Sequence, residues 1–469
     1  MRLPISRLIL VLAFFSSVRF ISAQPHISER AQARRLLLEA SRLIEEIPDG
    51  QRSSAVANIA SQLVRGGYLE DALKVSQSTK NVRDQNLATQ VMAWQLVERG
   101  DVAEALQLVE RIENEQNRED QYQSLAVHLA ERGDLKGALG IAQTRADGRS
   151  RVLMLVELAK QRARSKDFAK ATELLDEALP ICKRLARAGT DNAAILQSIA
   201  TTQAEVDDRA GAVSTLAELS AIAHRQESAQ GKELLLQLLG SAQAQAGDLV
   251  GAFSTYEELV PGSNSNFVLM AIAEEQAKEG LMADALQSAE RIQDLHLKSL
   301  TFREVAIARG RDGTLADAVE AIDRIADSAG RAEAIGVLAL EQAEAKNPAA
   351  AATVQKADAL AREAASGSTQ ALNGSMSPGA GLEMVAVTRA VLDDFAGAEE
   401  IVGEMPEPEW RVWPLWNLTS MLAEAGRTDE ALALAASESA PHPKLYALLG
   451  TAQGVLTRVS SEERKAREK

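Results

Sequence analysis

Gly67, Gly100 and Gly133 stand 33 residues apart, and Lys166 holds the next equivalent place. Self-similarity at a fixed period of roughly 20 to 50 residues is the signature of stacked supersecondary units, each burying its apolar face against the next. Two longer units follow, marked by Asp207 and Gly247, before the 33-residue spacing returns at Gly280 and Gly313. Asn347 then stands one residue late, and Gly426 marks the last turn.

Each marker separates two apolar patterns of helical period. Five residues after it come Ala72, Ala105, Ala138, Ala171, Ala212, Ala252, Ala285, Ala318, Ala352 and Ala431. Seven residues before it come Ala60, Ala93, Ala126, Ala159, Ala200, Ala273 and Ala306, with Gly240 in the same register. Small residues allow two helices to cross closely, so these positions are expected to face one another across each hairpin. Gly100-Asp101 and Gly133-Asp134 put a left-handed residue at the end of one helix and a capping carboxylate at the start of the next. Asp101 with Glu104, and Thr314 with Asp317, have the spacing of a capping box.

The segment Val91-Met92-Ala93-Trp94-Gln95-Leu96, followed by Gly100-Asp101 and Ala105-Leu106, resembles the tetratricopeptide family, as does Leu125-Ala126 followed by Gly133-Asp134 and Ala138-Leu139. The departures are a period one residue short and the loss of most of the family's aromatics and of its repeat-ending proline. The resemblance covers about residues 52 to 455. It implies an all-α, right-handed superhelical solenoid, here of about eleven antiparallel helix pairs, and a scaffold that carries no particular substrate.

Composition agrees with helices: 46% of residues are hydrophobic but only 3% aromatic. Arg2 and Arg7 precede the apolar run Leu8 to Phe15, and Ile21-Ser22-Ala23 reads as a cleavage segment, so residues 1–23 are expected to be a signal peptide. The stretch between Arg7 and Arg19 falls well short of the roughly 20 residues that span a bilayer, so no transmembrane segment is expected after cleavage. A formal charge of −15 disfavours nucleic acid and anionic lipid as partners. Cys182 is the only cysteine, so no intrachain disulfide forms and stability must come from packing between repeats.

After the leader the chain reads as an array with an amino-terminal capping helix over 24–365, an exposed loop over 366–381, further helical repeats over 382–459 and a flexible charged tail over 460–469. The units at Lys166 and Asp207 are longer, with the excess in Glu173 to Ala188 and Leu216 to Ala229, and Ala349 to Ala365 is a similar extension.

No nucleotide fingerprint, phosphate loop, zinc helix or nucleophile elbow occurs, so no catalytic, cofactor-binding or metal residues are assigned. His26, His128, His224, His296 and His442 are scattered, and Cys182 reads as a buried thiol with no accompanying base. Arg99-Gly100-Asp101 and Arg132-Gly133-Asp134 spell an adhesion tripeptide, but both fall where repeat geometry demands Gly and Asp. Arg111-Ile112, Arg291-Ile292 and Arg324-Ile325 place an apolar residue between helices and an ion pair at the rim. Trp410, Trp413 and Trp416, three of the chain's four tryptophans, form the one candidate interaction or end-cap cluster. They are expected either to plug the final repeat, which lacks a neighbour, or to serve as a peptide or glycan platform. The resulting expectation is a periplasmic or secreted, non-catalytic scaffold for an unidentified protein or peptide. The alternatives are a structural envelope spacer and an enzyme, or enzyme subunit, with a helical-repeat body.

Overall fold

The computed structural model describes residues 29–468 apart from 80, 113, 145–147, 189–191, 312–314, 327 and 367–378. The expected signal peptide, His26, the turn at Gly313-Thr314 and most of the 366–381 loop therefore lie outside the described residues. Every regular element described is a helix, and no strand occurs among the described residues. Helix α1 (29–42) turns its leucine face inward, with Leu36, Leu37 and Ala40 buried.

Hairpins follow in order. They begin with α2 (Asp49–Gly66) and α3 (Leu69–Ser78), α4 (Val82–Arg99) and α5 (Val102–Glu110), and α6 (Glu115–Glu131) and α7 (Leu135–Thr144). Next are α8 (Gly148–Arg164) and α9 (Phe168–Ala188), α10 (Ala193–Glu205) and α11 (Arg209–Arg225), and α12 (Ala229–Gln245) and α13 (Leu249–Glu258). Then come α14 (Ser263–Lys278) and α15 (Met282–Glu290), α16 (Leu295–Gly310) and α17 (Leu315–Asp323), and α18 (Ser328–Glu344) and α19 (Ala350–Ser366). The series closes with α20 (Ala380–Val391) and α21 (Phe395–Glu404), α22 (Val412–Glu424) and α23 (Thr428–Ser437), and the long helix α24 (Pro441–Glu468). The fold is an all-α array of helical repeats. Two compact units are present: one takes the residues up to Asp101 together with those from Arg389 onward, and the other runs from Val102 to Thr388.

The turns show why the period exists. Gly100 has φ +90, its N–H bonds to the Val97 carbonyl at 2.9 Å, and the Asp101 N–H reaches Leu96 at 2.8 Å. This pair of bonds satisfies carbonyls that the helix end leaves open, and it needs one left-handed residue. The same pair recurs at Lys346, with φ 57, and at Asp393, with φ 62. The marker of the α18–α19 hairpin is therefore Lys346, on the regular period, and not Asn347. Helix α19 begins late, at Ala350, so the buried small residue there is Ala350 at 1% exposure, whereas Ala352 is exposed. Asp393 is a marker the glycine pattern does not reveal.

A second motif lies one step on. The carboxylates of Asp134, Asp208, Asp248 and Asp394 accept the backbone N–H of Gly137, Gly211, Gly251 and Gly397, capping the second helices. A Cβ on any of these glycines would run into the capping carboxylate itself. Between successive hairpins, open carbonyls at the ends of first helices take donors from the next first helix. Arg99 reaches Val64, Arg162 reaches Ala130, and Gln342 reaches Gly310. Inside the hairpins of the larger unit, Gln203–Thr215, Gln276–Ser288 and Gln342–Thr353 form buried side-chain bonds, and Gln243–Thr255 a part-buried one, of 2.7 to 2.8 Å. Polar groups out of water must be paired in this way.

Close approaches occur at the glycines: Gly310, three residues before its marker, meets Ala318 of α17 and Leu338 of α18, and Gly240 meets Thr255 of α13 and Val268 of α14. Ala352 apart, both alanine sets are buried. Ala138→Leu is expected to cost about 1 to 3 kcal/mol by overpacking a site with no exposed surface, while Lys136→Leu on the same helix should change little. Equal urea midpoints for the two variants would contradict this packing.

Helices α9, α11 and α19 are the long second helices anticipated from the extended units, at 21, 17 and 17 residues. Ile112, Ile292 and Ile325 are buried, and Arg324 meets Glu290 at 3.2 Å, as the recurring Arg-Ile pair implies. Residues 460–468 continue α24 in place of a flexible tail, because Arg30 holds Glu463 at 2.9 Å and Arg458 holds Glu29 at 3.0 Å.

Candidate functional site

Trp410 lies in a short 3-10 turn, Pro408–Arg411, that delivers the chain into α22, and Trp413 and Trp416 follow on that helix. All three rings are half-buried. The Trp416 indole N–H donates to Gln453 on α24 at 2.9 Å, and its ring tilts onto Tyr446 with centroids 5.5 Å apart. Tyr446 in turn takes the edge of His442 at 5.2 Å, and His442 Nδ1 lies 2.7 Å from Glu409. Burial pushes the Tyr446 hydroxyl pKa up, and a hydrogen bond with Asn58 of α2 opposes it. Gln51 and Gln62, also on α2, bond Glu409 and Gln453.

The final repeat therefore has a neighbour. Helix α24 packs on α2, and the aromatic group lies where the last hairpin, the last helix and the first hairpin meet. The sequence reading of an open end fails because α24 supplies to α22 what a following first helix would supply. Arg458 of α24 donates to the Ala423 carbonyl, as Arg99 does to Val64.

Other candidate residues serve local structure. Cys182 is buried in α9, and burial pushes its pKa to about 12, which disfavours the thiolate a nucleophile needs. His128 faces Glu131, and His224 faces Glu258 at 3.1 Å. Among the described residues no group of three or more His, Cys, Asp or Glu is disposed around a common metal position. In Arg99-Gly100-Asp101 the glycine makes the left-handed turn while Arg99 binds Val64 and Asp101, so the tripeptide is part of the turn.

The feature that does extend across repeats lies in the larger unit. Consecutive first helices there, from α6 to α18, pack directly on one another, whereas contacts between consecutive second helices are sparse. The first-helix layer is thus the more closely packed side of that array. Glu274 on α14, Arg303 and Glu304 on α16, Glu333 on α18 and Glu383 on α20 form a row across it. Arg303 joins Glu304 at 3.0 Å and Glu333 at 3.1 Å. Burial, and then the neighbouring Glu304, raises the Glu274 pKa. Burial, with Glu333 as the second cause, lifts Glu383 to about 7. Phe267 and Met270 share a helical stripe with Glu274, as does Ile307 with Arg303 and Glu304, and Val337 and Leu340 with Glu333; all of these apolar side chains are half-exposed. Glu333 is buried in its pair with Arg303 and Lys278 acts on Glu274, which leaves Glu274, Glu304 and Glu383 as the part-exposed carboxylates; interleaved with apolar side chains, they suit a ligand that is both cationic and apolar.

No family model and no curated protein matches the chain. Solved structures similar to it include Ton1535 from Thermococcus onnurineus NA1, at 16% identity over 80% of this chain and 99% of that one, with a TM-score of 0.31. The APC/C hetero-tetramer Cut9-Hcn1 is similar at 14% identity over 86% of this chain and 96% of that one, with a TM-score of 0.21. A circular tandem repeat protein with novel repeat topology is similar at 12% identity over 94% and 99%, with a TM-score of 0.18.

Proposed function

We propose that the protein is a non-catalytic, protein-binding scaffold exported to the cell envelope, periplasmic or secreted, and that it docks an extended basic segment of its partner on the first-helix face of α14, α16, α18 and α20. The observation that carries this reading is the carboxylate row, continuous across four successive first helices and flanked by half-exposed apolar side chains. Export rests on the charged start and apolar run of residues 1–23. Among the described residues no helix is long and apolar enough to cross a membrane.

Four helices set roughly 8 to 10 Å apart span about 24 to 30 Å, which an extended chain covers with about eight or nine residues. A library of nine-residue peptides alternating Lys or Arg with Leu or Val, read by fluorescence polarisation, tests the proposal directly. Glu383 gains its charge as pH rises through about 7, so affinity for the best peptide should rise between pH 5.5 and 8, by roughly three- to tenfold at low salt. Glu383→Gln should remove that rise, and Glu304→Gln should weaken binding at every pH. Equal affinity for acidic and basic peptides would refute the reading.

A further inference from the structure

A second charged feature of the molecule has the opposite sign. In the unit that joins the two chain ends, a cavity of about 690 Å³ is lined by Arg30 of α1, Arg65 and Gly67 at the end of α2, Gln95, Glu98 and Arg99 of α4, and Ser460, Glu463 and Arg464 of α24. Four guanidinium groups thus face two carboxylates in a chain whose net charge is −15. Two of the four are already engaged: Arg30 binds Glu463, and Arg99 binds Asp101 and the Val64 carbonyl. Arg65 and Arg464 make no hydrogen bond or ion pair with any described residue.

Arg464 is exposed at the rim, but Arg65 is half-buried. Burial pushes the Arg65 pKa down, with Glu424 and Glu98 opposing the shift and Arg30 adding to it. A guanidinium withdrawn from water without a fixed acceptor is destabilised, and an oxyanion meeting it in a bidentate pair would relieve that cost. The volume lies in the range of small-molecule pockets, and Gln95 and Ser460 add neutral donors to the wall.

We propose that this recess binds a small multivalent oxyanion, a polycarboxylate or a phosphorylated molecule, through Arg65 and Arg464, and so bridges α2 to α24. Because one anchor lies on the first hairpin and the other on the last helix, binding also holds α24 in place. The site is independent of the carboxylate row, and its failure would leave the peptide reading untouched.

Titration calorimetry of the full chain with citrate and with pyrophosphate, at an ionic strength of about 0.15 M, tests the proposal. A saturable one-to-one isotherm with citrate alone identifies a polycarboxylate site, with pyrophosphate alone a phosphate site, and with both a recess that selects charge; each supports the proposal. Arg65→Gln should weaken binding at least about tenfold, with Arg65→Lys in between because it keeps the charge and loses the fork. Arg464→Gln removes an exposed group without a partner, so it should weaken binding without altering the fold even if Arg65→Gln does not fold. Arg209→Gln, on an exposed arginine paired with Asp207 two residues before it, is the control. Bound ligand should also slow hydrogen exchange in α24. Absence of saturation with both anions, or losses at Arg209→Gln equal to those at Arg464→Gln, overturns the site.

Discussion

Gly454→Val is expected to strip α24 from α22 and to cost about 3 kcal/mol or more. A Cβ at Gly454 would fall inside the carbonyl oxygen of Ser420, 2.8 Å from the Ala423 Cβ and 2.9 Å from the Glu424 nitrogen. Gly450, one turn earlier, presses in the same way on the Trp416 carbonyl and Thr419. The obstacles at Gly454 are mostly backbone, so no side-chain rotation relieves the overlap and the helices must separate. Separation would also release Arg458 from Ala423 and weaken the packing of α24 on α2. Stability in repeat arrays is approximately local, so the loss should concentrate in α22 to α24 while α8 to α18 keep their hydrogen-exchange protection. A variant with unchanged protection in α24 would show that the two helices are not in this close register.

Trp416→Ala is expected to be nearly as costly, at about 2 to 4 kcal/mol, and Trp413→Ala distinctly less. The Trp416 ring is only half-buried, which sets it below the upper end for aromatic truncation, but its removal takes away the packing on Tyr446 and the donor to Gln453. Gln453 would keep only the longer contact to Gln62 on α2, at 3.4 Å. Early proteolysis after α20 in Trp416→Ala, with the remaining array intact, is the expected pattern. Strong acrylamide quenching of Trp416 together with an unchanged protease-resistant carboxy-terminal fragment would favour the platform reading.

The regular hairpins are legible in the sequence because their determinants are local. A left-handed residue closes the first helix, an aspartate caps the second, and small residues sit at fixed distances, all within one period. Asp393 escapes the pattern because a non-glycine residue there takes positive φ, as Lys166, Asp207 and Lys346 also do. The buried small residue is Ala350, two residues before the expected Ala352, and one of those two comes from the turn marker being Lys346 and not Asn347.

What periodicity does not report is contact between distant segments. Arg30 and Glu463 are 433 residues apart, and nothing in a 33-residue repeat announces that the last helix will meet the first. The carboxylate row is hidden for a related reason. Glu274 stands six residues before its turn, Glu304 nine, Glu333 thirteen and Glu383 ten, so the row runs across different register positions and never appears as a repeated letter.

The most direct measurement of the docking surface is hydrogen exchange of the full chain with and without the tightest basic peptide. Exchange is expected to slow in α14, α16, α18 and α20, an effect lost on Glu304→Gln and weakened by salt. Protection confined to second helices, or to the tryptophan-bearing segment at α22, would contradict it.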